Sequence, residues 1–416
     1  KFAWGGGYDG YLDYVTSWHA KALAHLRSTR AQWAFVTTNS ITQGQAVPAL
    51  FRPIFNDGWR IKFAHTTFPW TSDAIGKAAV HCVIIGFTKD DINKPRLFAY
   101  DGGAGQPREE RPRNINAYLL DGTDLLVEKR MKPLPGLPTV QYGSKPADGG
   151  HLQVKGAAYG EVAADAFASK YLRPFVGADE LLSGGDRWCL WLVDAPQHDI
   201  SASPVLRSRT AQVREMRLAS TKPSTREAAN TPELFTEIRQ PSGPYLGIPR
   251  HVTETRQFFT ATRFSADVIC GDANFTAADP DGFLFAIISS SMFITWQRMI
   301  GGRIKSDLRF SNTIVWNNLP LPTPSTAARE DIIRAGVQIL EARNLHPEKS
   351  LEQHYEPGHM TSELLSAHRA LDELVDRAFG ARALCESERD RQQILFAAYE
   401  ELTAPLLAAS GQKRRR

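Results

Sequence analysis

The chain has 416 residues, 42% hydrophobic and 23% charged, with 31 glycines, 25 prolines and a formal net charge of +4. That is ordinary globular composition, long enough for about three domains, and it excludes collagen, coiled coil and wholesale disorder. The mild positive excess permits nucleic-acid binding without requiring it, and no run of 18 apolar residues exists to span a membrane.

From the N-terminus, Tyr11 to Leu26 places Leu12, Val15, Ala22 and Leu26 near helical spacing and predicts a helix. Gln32 to Thr38 reads as a buried strand. Ala46 to Phe55 reads as a helix shortened or kinked by Pro48 and Pro53. Trp59 to Thr67 alternates, with Trp59, Ile61 and Phe63 on one face, and Ala78 to Phe87 is a further strand. Helix, strand, helix, strand, strand is half of a doubly wound α/β sheet. A whole one needs further strands before Lys1, so the chain, which does not begin with Met, reads as a portion of something longer.

Proline and glycine clusters at Asp101 to Pro112 and Lys132 to Gly150 predict loops. Mixed strand-like and helical pieces follow. Phe283 to Met299 is apolar enough for one buried helix, stopped by Gly301-Gly302. Leu319 to Pro324 is a stiff proline-rich joint. Ala327 to Arg343, Ser362 to Phe379 and Glu386 to Leu406 read as amphipathic helices, with Gly380 as a C-terminal cap. The basic tail, Lys413 to Arg416, reads as frayed. The four cysteines are widely separated, which suits a reducing compartment and gives no structural zinc site. His354 and His359 flank Pro357-Gly358 and read as a solvated turn, and His81 as a core imidazole.

Three segments carry candidate chemistry. Phe68-Pro69-Trp70 sets two aromatics around a proline between two strands; such a loop exposes rigid rings at a sheet end, or packs them into the core. Arg207 to Arg226 holds Arg207, Arg209, Arg214, Arg217, Lys222 and Arg226 against Glu215 alone, interleaved with hydroxyls. These are donors suited to phosphate, or else a solvated helix face. Gly301 to Phe310 alternates as one strand. Arg303, Lys305, Asp307 and Arg309 fall on one face, and Ile304, Leu308 and Phe310 with Ser306 on the other. The first face suits contact with base edges, or a polar edge strand that guards against aggregation. No P-loop, His-Glu-x-x-His or Gly-x-Ser-x-Gly motif is present, and Gly5-Gly6-Gly7 follows no strand.

At these segments the chain resembles MmeI-like (type IIL) restriction-modification enzymes, which are class-γ adenine-specific DNA methyltransferases. LDYVTSWHAKAL, AFVTTNSITQG and FAHTTFPWTSDAIGKAAVHCVIIGF resemble the region after their catalytic motif. LRSRTAQVREMR, YLGIPRHVTETRQFF, SSSMFITWQRMIGGRIKSDLRFSNTIVWNN and LPLPTP resemble their target recognition domain, and ELLSAHRALDELVDRAFG their helical C-terminal segment. The family's glycine-rich cofactor motif, its Asn-Pro-Pro-Tyr/Phe motif and its nuclease domain are not in this sequence.

The resemblance implies a partial methyltransferase sheet over residues 1–95, an α+β recognition domain over 96–324 and a helical segment over 325–416. It implies double-stranded DNA as partner, no membrane, a cytoplasmic setting, and S-adenosylmethionine as the full-length parent's methyl donor. The missing N-terminal half is then fused or separate, and this chain is inactive alone. The target adenine is flipped and stacked on a ring, Phe68 by position or Trp70 as fallback. Lys305 and Asp307 match two positions that govern one base of the site, and their chemistry suits guanine with its paired cytosine. A non-catalytic specificity subunit, or a decayed remnant, is the alternative; an intrastrand ion pair is the alternative for Lys305 and Asp307.

Overall fold

The computed structural model describes residues 1–70, 80–91, 94–100, 105–304 and 306–413. Residues 78 and 79 of the last predicted strand, the start of the 101–112 loop, Lys305 and the tail after 413 lie outside them.

The first unit is a five-stranded sheet. Its strands are β1 (Trp33–Thr38), β2 (Arg60–Trp70), β3 (Val80–Thr88), β4 (Arg96–Ala99) and β5 (Arg108–Glu110), in the order β1-β3-β2-β4-β5. β3 is antiparallel to both β1 and β2, so those two run the same way on either side of a reversed strand. β4 then pairs parallel to β2, and β5 antiparallel to β4, inside the span predicted as loop.

Helix α2 (Ala46–Asn56) buries Val47, Leu50, Phe51 and Ile54, at the i, i+3, i+4, i+7 spacing of one helix face. Each such burial contributes about 1.5–3 kcal/mol. Pro48 lies in the first turn, where no intrahelical N–H is needed; Pro53 lies inside the helix near its end. Helix α1 is shorter than predicted, Thr16–Leu26, and residues 11–15 are turn and irregular chain. It buries His19 edge-on against Trp33 and Phe35; burial lowers that imidazole's pKa to about 4.

In β2 the predicted face holds for Trp59 and Ile61, but a register shift between Ile61 and Phe63 turns the chain over. Ala64, not Phe63, is then buried, because one extra residue inverts all later side chains. Phe63 instead lies where a Cβ on Gly86 would sit.

The middle of the chain is α+β. One small core is built on the strands Gln153–Lys155, Leu172–Val176, Arg187–Leu190 and Ile269–Cys270 with the helix Pro204–Leu218. A second four-stranded sheet joins Thr262–Phe264, Tyr245–Pro249, Asn274–Ala278 and Gln141–Tyr142, the last inside the predicted 132–150 loop.

The predicted single helix at 283–299 is two, Phe283–Ser289 and Ser291–Ile300, bent by 63°. Ser290 makes the break: its Oγ donates to Ile287 O and accepts from Phe293 N. This pair is almost wholly buried, and no single helix among the described residues is long and apolar enough to cross a membrane.

Three long helices close the chain: Thr326–Asn344, Ser362–Ala378 and Glu388–Lys413. Ser325 and Thr361 cap the first two. Gly380, at φ +102, ends the second. Their apolar faces share one core with α2, the central helix pair and the β1–β3 sheet.

Candidate DNA interface and base pocket

Phe68, Pro69 and Trp70 are not in a loop. They end β2, paired with Cys82, His81 and Val80 beyond a second register shift between His65 and Phe68. Phe68 is half-buried and Trp70 is 48% exposed, their ring centroids 6.5 Å apart. Phe68 stacks on Tyr100, centroid to centroid 5.0 Å. His81, half-buried, faces Pro69 on the neighbouring strand. Residues 71–79, the connection that follows, lie outside the described residues.

The six cations of 207–226 are unequal. Arg217 is fully buried and donates to the carbonyls of Pro146, Ala147, Ala228, Thr231 and Leu234. All five N–H groups of its guanidinium are used, so it has nothing left for a phosphate. Arg209 is half-buried and donates to the carbonyls of His151 and Gln153. Arg207 and Arg226 are exposed but bond the local backbone at Ser201, and at Ser220 and Thr221. Arg214 and Lys222 are exposed.

The predicted strand at 301–310 is a hairpin. Gly302–Ile304 pairs antiparallel with Asp307–Arg309, Ile304 opposite Asp307 and Arg303 opposite Leu308. Cross-strand partners share a face, so the alternation expected of one strand is broken at the reversal. Ile304, predicted inside, is 44% exposed; Arg303, predicted outside, turns in with the buried Leu308 and meets Glu254 at 3.3 Å. Asp307 therefore shares its outer face with Ile304 and Arg309. Lys305 lies outside the described residues.

His251–Val252 adds a third strand, with His251 opposite Arg309. Burial, with the charges of Arg309 and Arg250, holds His251 below the usual histidine pKa. Arg250 itself stacks over Tyr142, its guanidinium carbon 4.6 Å from the ring centroid. Of these, Arg309 is a sequence candidate, but Tyr142 and Arg250 do not stand out in the sequence, because no spacing rule joins 142 and 250 to 309.

This small sheet abuts the first unit. A cleft of about 360 Å³ is lined by Tyr11, Gly44 and Gln45 on one side and by Tyr142, Gly302 and Arg309 on the other. Gly44 has φ +59, and a Cβ there would stand 3.2 Å from the Cα of Gly302. An aromatic ring at a sheet end and a polar strand face beside an interdomain cleft are suited to holding one base and touching others.

Family models match in order along the chain. The MmeI DNA-methyltransferase domain matches residues 5–99, the MmeI target recognition domain 121–323 and the MmeI C-terminal domain 324–407. A curated relative, DNA methyltransferase A of Bacillus subtilis (strain 168), is 32% identical over 394 residues; the match takes in 94% of this chain and 44% of that protein. The solved structure of the type IIL restriction-modification enzyme MmeI in complex with DNA is 38% identical, with a TM-score of 0.80 over 94% of this chain and 53% of that one. The chain thus spans about half the length of the relatives it matches.

Proposed function

The chain belongs to the MmeI family, carrying its methyltransferase, target recognition and C-terminal domains, and on that premise we propose that it is the DNA-reading, C-terminal portion of a site-specific adenine methyltransferase of a restriction-modification system. Its partner is double-stranded DNA, and its setting is the cytoplasm. The observation that carries the reading is the cleft shared by the end of the catalytic unit and the recognition hairpin. DNA lying there meets Arg309 of the hairpin directly, while Phe68 lies outside the cleft lining, at the end of β2.

In this reading the target adenine leaves the duplex and stacks on Phe68, with Trp70 as the alternative ring. Arg214 and Lys222, with Arg207 and Arg226, lie along phosphate and set register without reading sequence. Arg309, Asp307 and Lys305 meet base edges. Guanine offers acceptors to a lysine, and its paired cytosine an amino group to a carboxylate.

S-adenosylmethionine supplies the methyl group to the assembled enzyme. The residues present do not make its site: the sequence has no strand–glycine–helix motif, and Gly5–Gly7 form a short exposed 3-10 turn where a Cβ on any of the three would meet nothing within 4 Å. We place that motif and the Asn-Pro-Pro-Tyr/Phe motif in the half that the relatives carry beyond this chain.

The test is methylome sequencing of cells carrying this chain joined to its upstream reading frame. The expected result is N6-methyladenine in one short motif. Lys305→Glu with Asp307→Arg then changes guanine to cytosine at one position, since each base contact carries about 1–3 kcal/mol of discrimination. A folded, DNA-bound protein that methylates no motif overturns the methyltransferase reading. A folded swap variant that keeps the original motif overturns the role of Lys305 and Asp307. Methylation that needs a separately encoded catalytic chain makes this one a specificity subunit.

A further inference from the structure

We propose that Tyr100 is a positioning residue that carries the ring of Phe68 and presents one of its faces to the extruded base. The proposal rests on the reading of Phe68 as the stacking partner. A stacking platform works only if it is held before the base arrives, because a ring ordered on arrival loses its rotamer freedom at the expense of binding. Phe68 lies past a register shift, near the end of β2, so strand pairing alone holds it weakly.

The parallel neighbour β4 supplies the support. Its register sets Phe63 opposite Arg96, Ala64 opposite Leu97 and His65 opposite Phe98. His65 and Phe98 therefore share a face, and their rings stack at 4.4 Å and 15°. Tyr100, two residues on, stacks on Phe68 at 5.0 Å and 28°. Its hydroxyl is 2.9 Å from His65 Nδ1, and its backbone N–H donates to Thr66 Oγ1 at 3.2 Å. Burial, then the nearby Arg96, lowers the His65 pKa, which favours a neutral imidazole in this hydrogen bond.

At the far end Arg96 lies over Phe98, 4.9 Å from its centroid, and is itself fixed by two hydrogen bonds to Glu109. The result is a continuous chain of contacts, Arg96–Phe98–His65–Tyr100–Phe68, in which two stacked pairs are joined by the tilted, hydrogen-bonded His65–Tyr100 contact at 5.9 Å and 37°. Tyr100 occupies one face of Phe68, which leaves that ring a single face to offer.

The test is a double-mutant cycle in the assembled methyltransferase, this chain with its catalytic half. Readouts are kcat, KM for DNA, and the fluorescence of 2-aminopurine placed at the target adenine. Tyr100→Leu should lower kcat about two- to ten-fold, the worth of one aromatic pair, and reduce the 2-aminopurine signal with KM unchanged. Tyr100→Phe keeps the ring and should recover most of both. In a Phe68→Leu background, Tyr100→Leu should cost nothing further, since it acts through Phe68.

Additive losses from the two substitutions overturn the positioning role and leave Phe68 in place. A Phe68→Leu enzyme with normal kcat and fluorescence removes the stacking reading, and this proposal with it. Thermal melting accompanies each variant. If Tyr100→Leu does not fold, Tyr100→Met takes its place in the cycle with the same expected direction.

Discussion

Arg217 and Arg214 lie three residues apart on one helix and have opposite fates. Arg217 sends five hydrogen bonds of 2.7 to 3.0 Å into carbonyls from two separate chain segments, 146–147 and 228–234. Lysine has three donors on one nitrogen and cannot reach five acceptors spread around a planar fork. Arg217→Lys should therefore destabilise the fold by about 2–4 kcal/mol, read by urea unfolding, because each buried acceptor left unmade costs about 1–3 kcal/mol. Arg214→Ala should move stability by less than about 0.5 kcal/mol. It should instead reduce the slope of log DNA affinity against log salt by about 0.9, one phosphate's share. An unchanged slope removes Arg214 from the interface. In the sequence the two arginines are equivalent; what separates them is whether the loop at residues 146–147 closes over the helix.

Among elements, the contact between the helices Ser291–Ile300 and Ser362–Ala378 depends on one carboxylate. Asp372 accepts from both the backbone N–H and the hydroxyl of Ser291, at 2.7 and 2.5 Å. Burial raises its pKa to about 6, against the lowering from those two bonds and from Arg391. Arg391 is committed to the neighbouring Asp376, at 2.9 and 2.8 Å. The folded pKa lies above the unfolded one, so the folded state binds the proton more tightly. The stabilising contribution is complete below about pH 4 and is lost as pH rises through 6. The unfolding free energy of the wild type, relative to Asp372→Asn, should fall by up to about 3 kcal/mol between pH 4 and 7. A pH-independent difference would falsify this account of the contact.

At the scale of the whole molecule, the hairpin at 302–309 meets the five-stranded unit beside Gly44. Gly44 has φ +59, a conformation that L side chains rarely adopt, and its missing Cβ would press on the backbone of Gly302; a Cβ on Gly302 would meet nothing. Gly44→Ala should therefore cost about 1–2 kcal/mol, through the left-handed backbone and the close approach together. Gly302→Ala should stay within about 0.5 kcal/mol. Equal losses in denaturant unfolding would show that the two units do not touch there. The C-terminal segment ties the same assembly from the other side, where Arg389 bonds Glu110 of β5 and Asp121.

By itself the sequence determined what depends on neighbours within about a dozen residues. Helix α2, the first two closing helices to within one residue of their ends, the start of the third to within two, and the burial of Trp59 and Ile61 all follow from periodicity and capping, whereas the third helix runs seven residues past its expected end at Leu406. The long motifs were equally legible, and with them the family. Only the tertiary structure decided the rest. One extra residue in β2 inverted Phe63, and the reversal before Asp307 exchanged the faces of Arg303 and Ile304. Seventy-one residues separate Arg217 from the carbonyl of Pro146, and Phe68 meets Tyr100 only because β4 pairs with β2. Periodicity repeats along the chain, but a pairing partner brought in from another element leaves no mark on the local pattern, so the faces of β2 and of the 302–309 hairpin were set by register and packing.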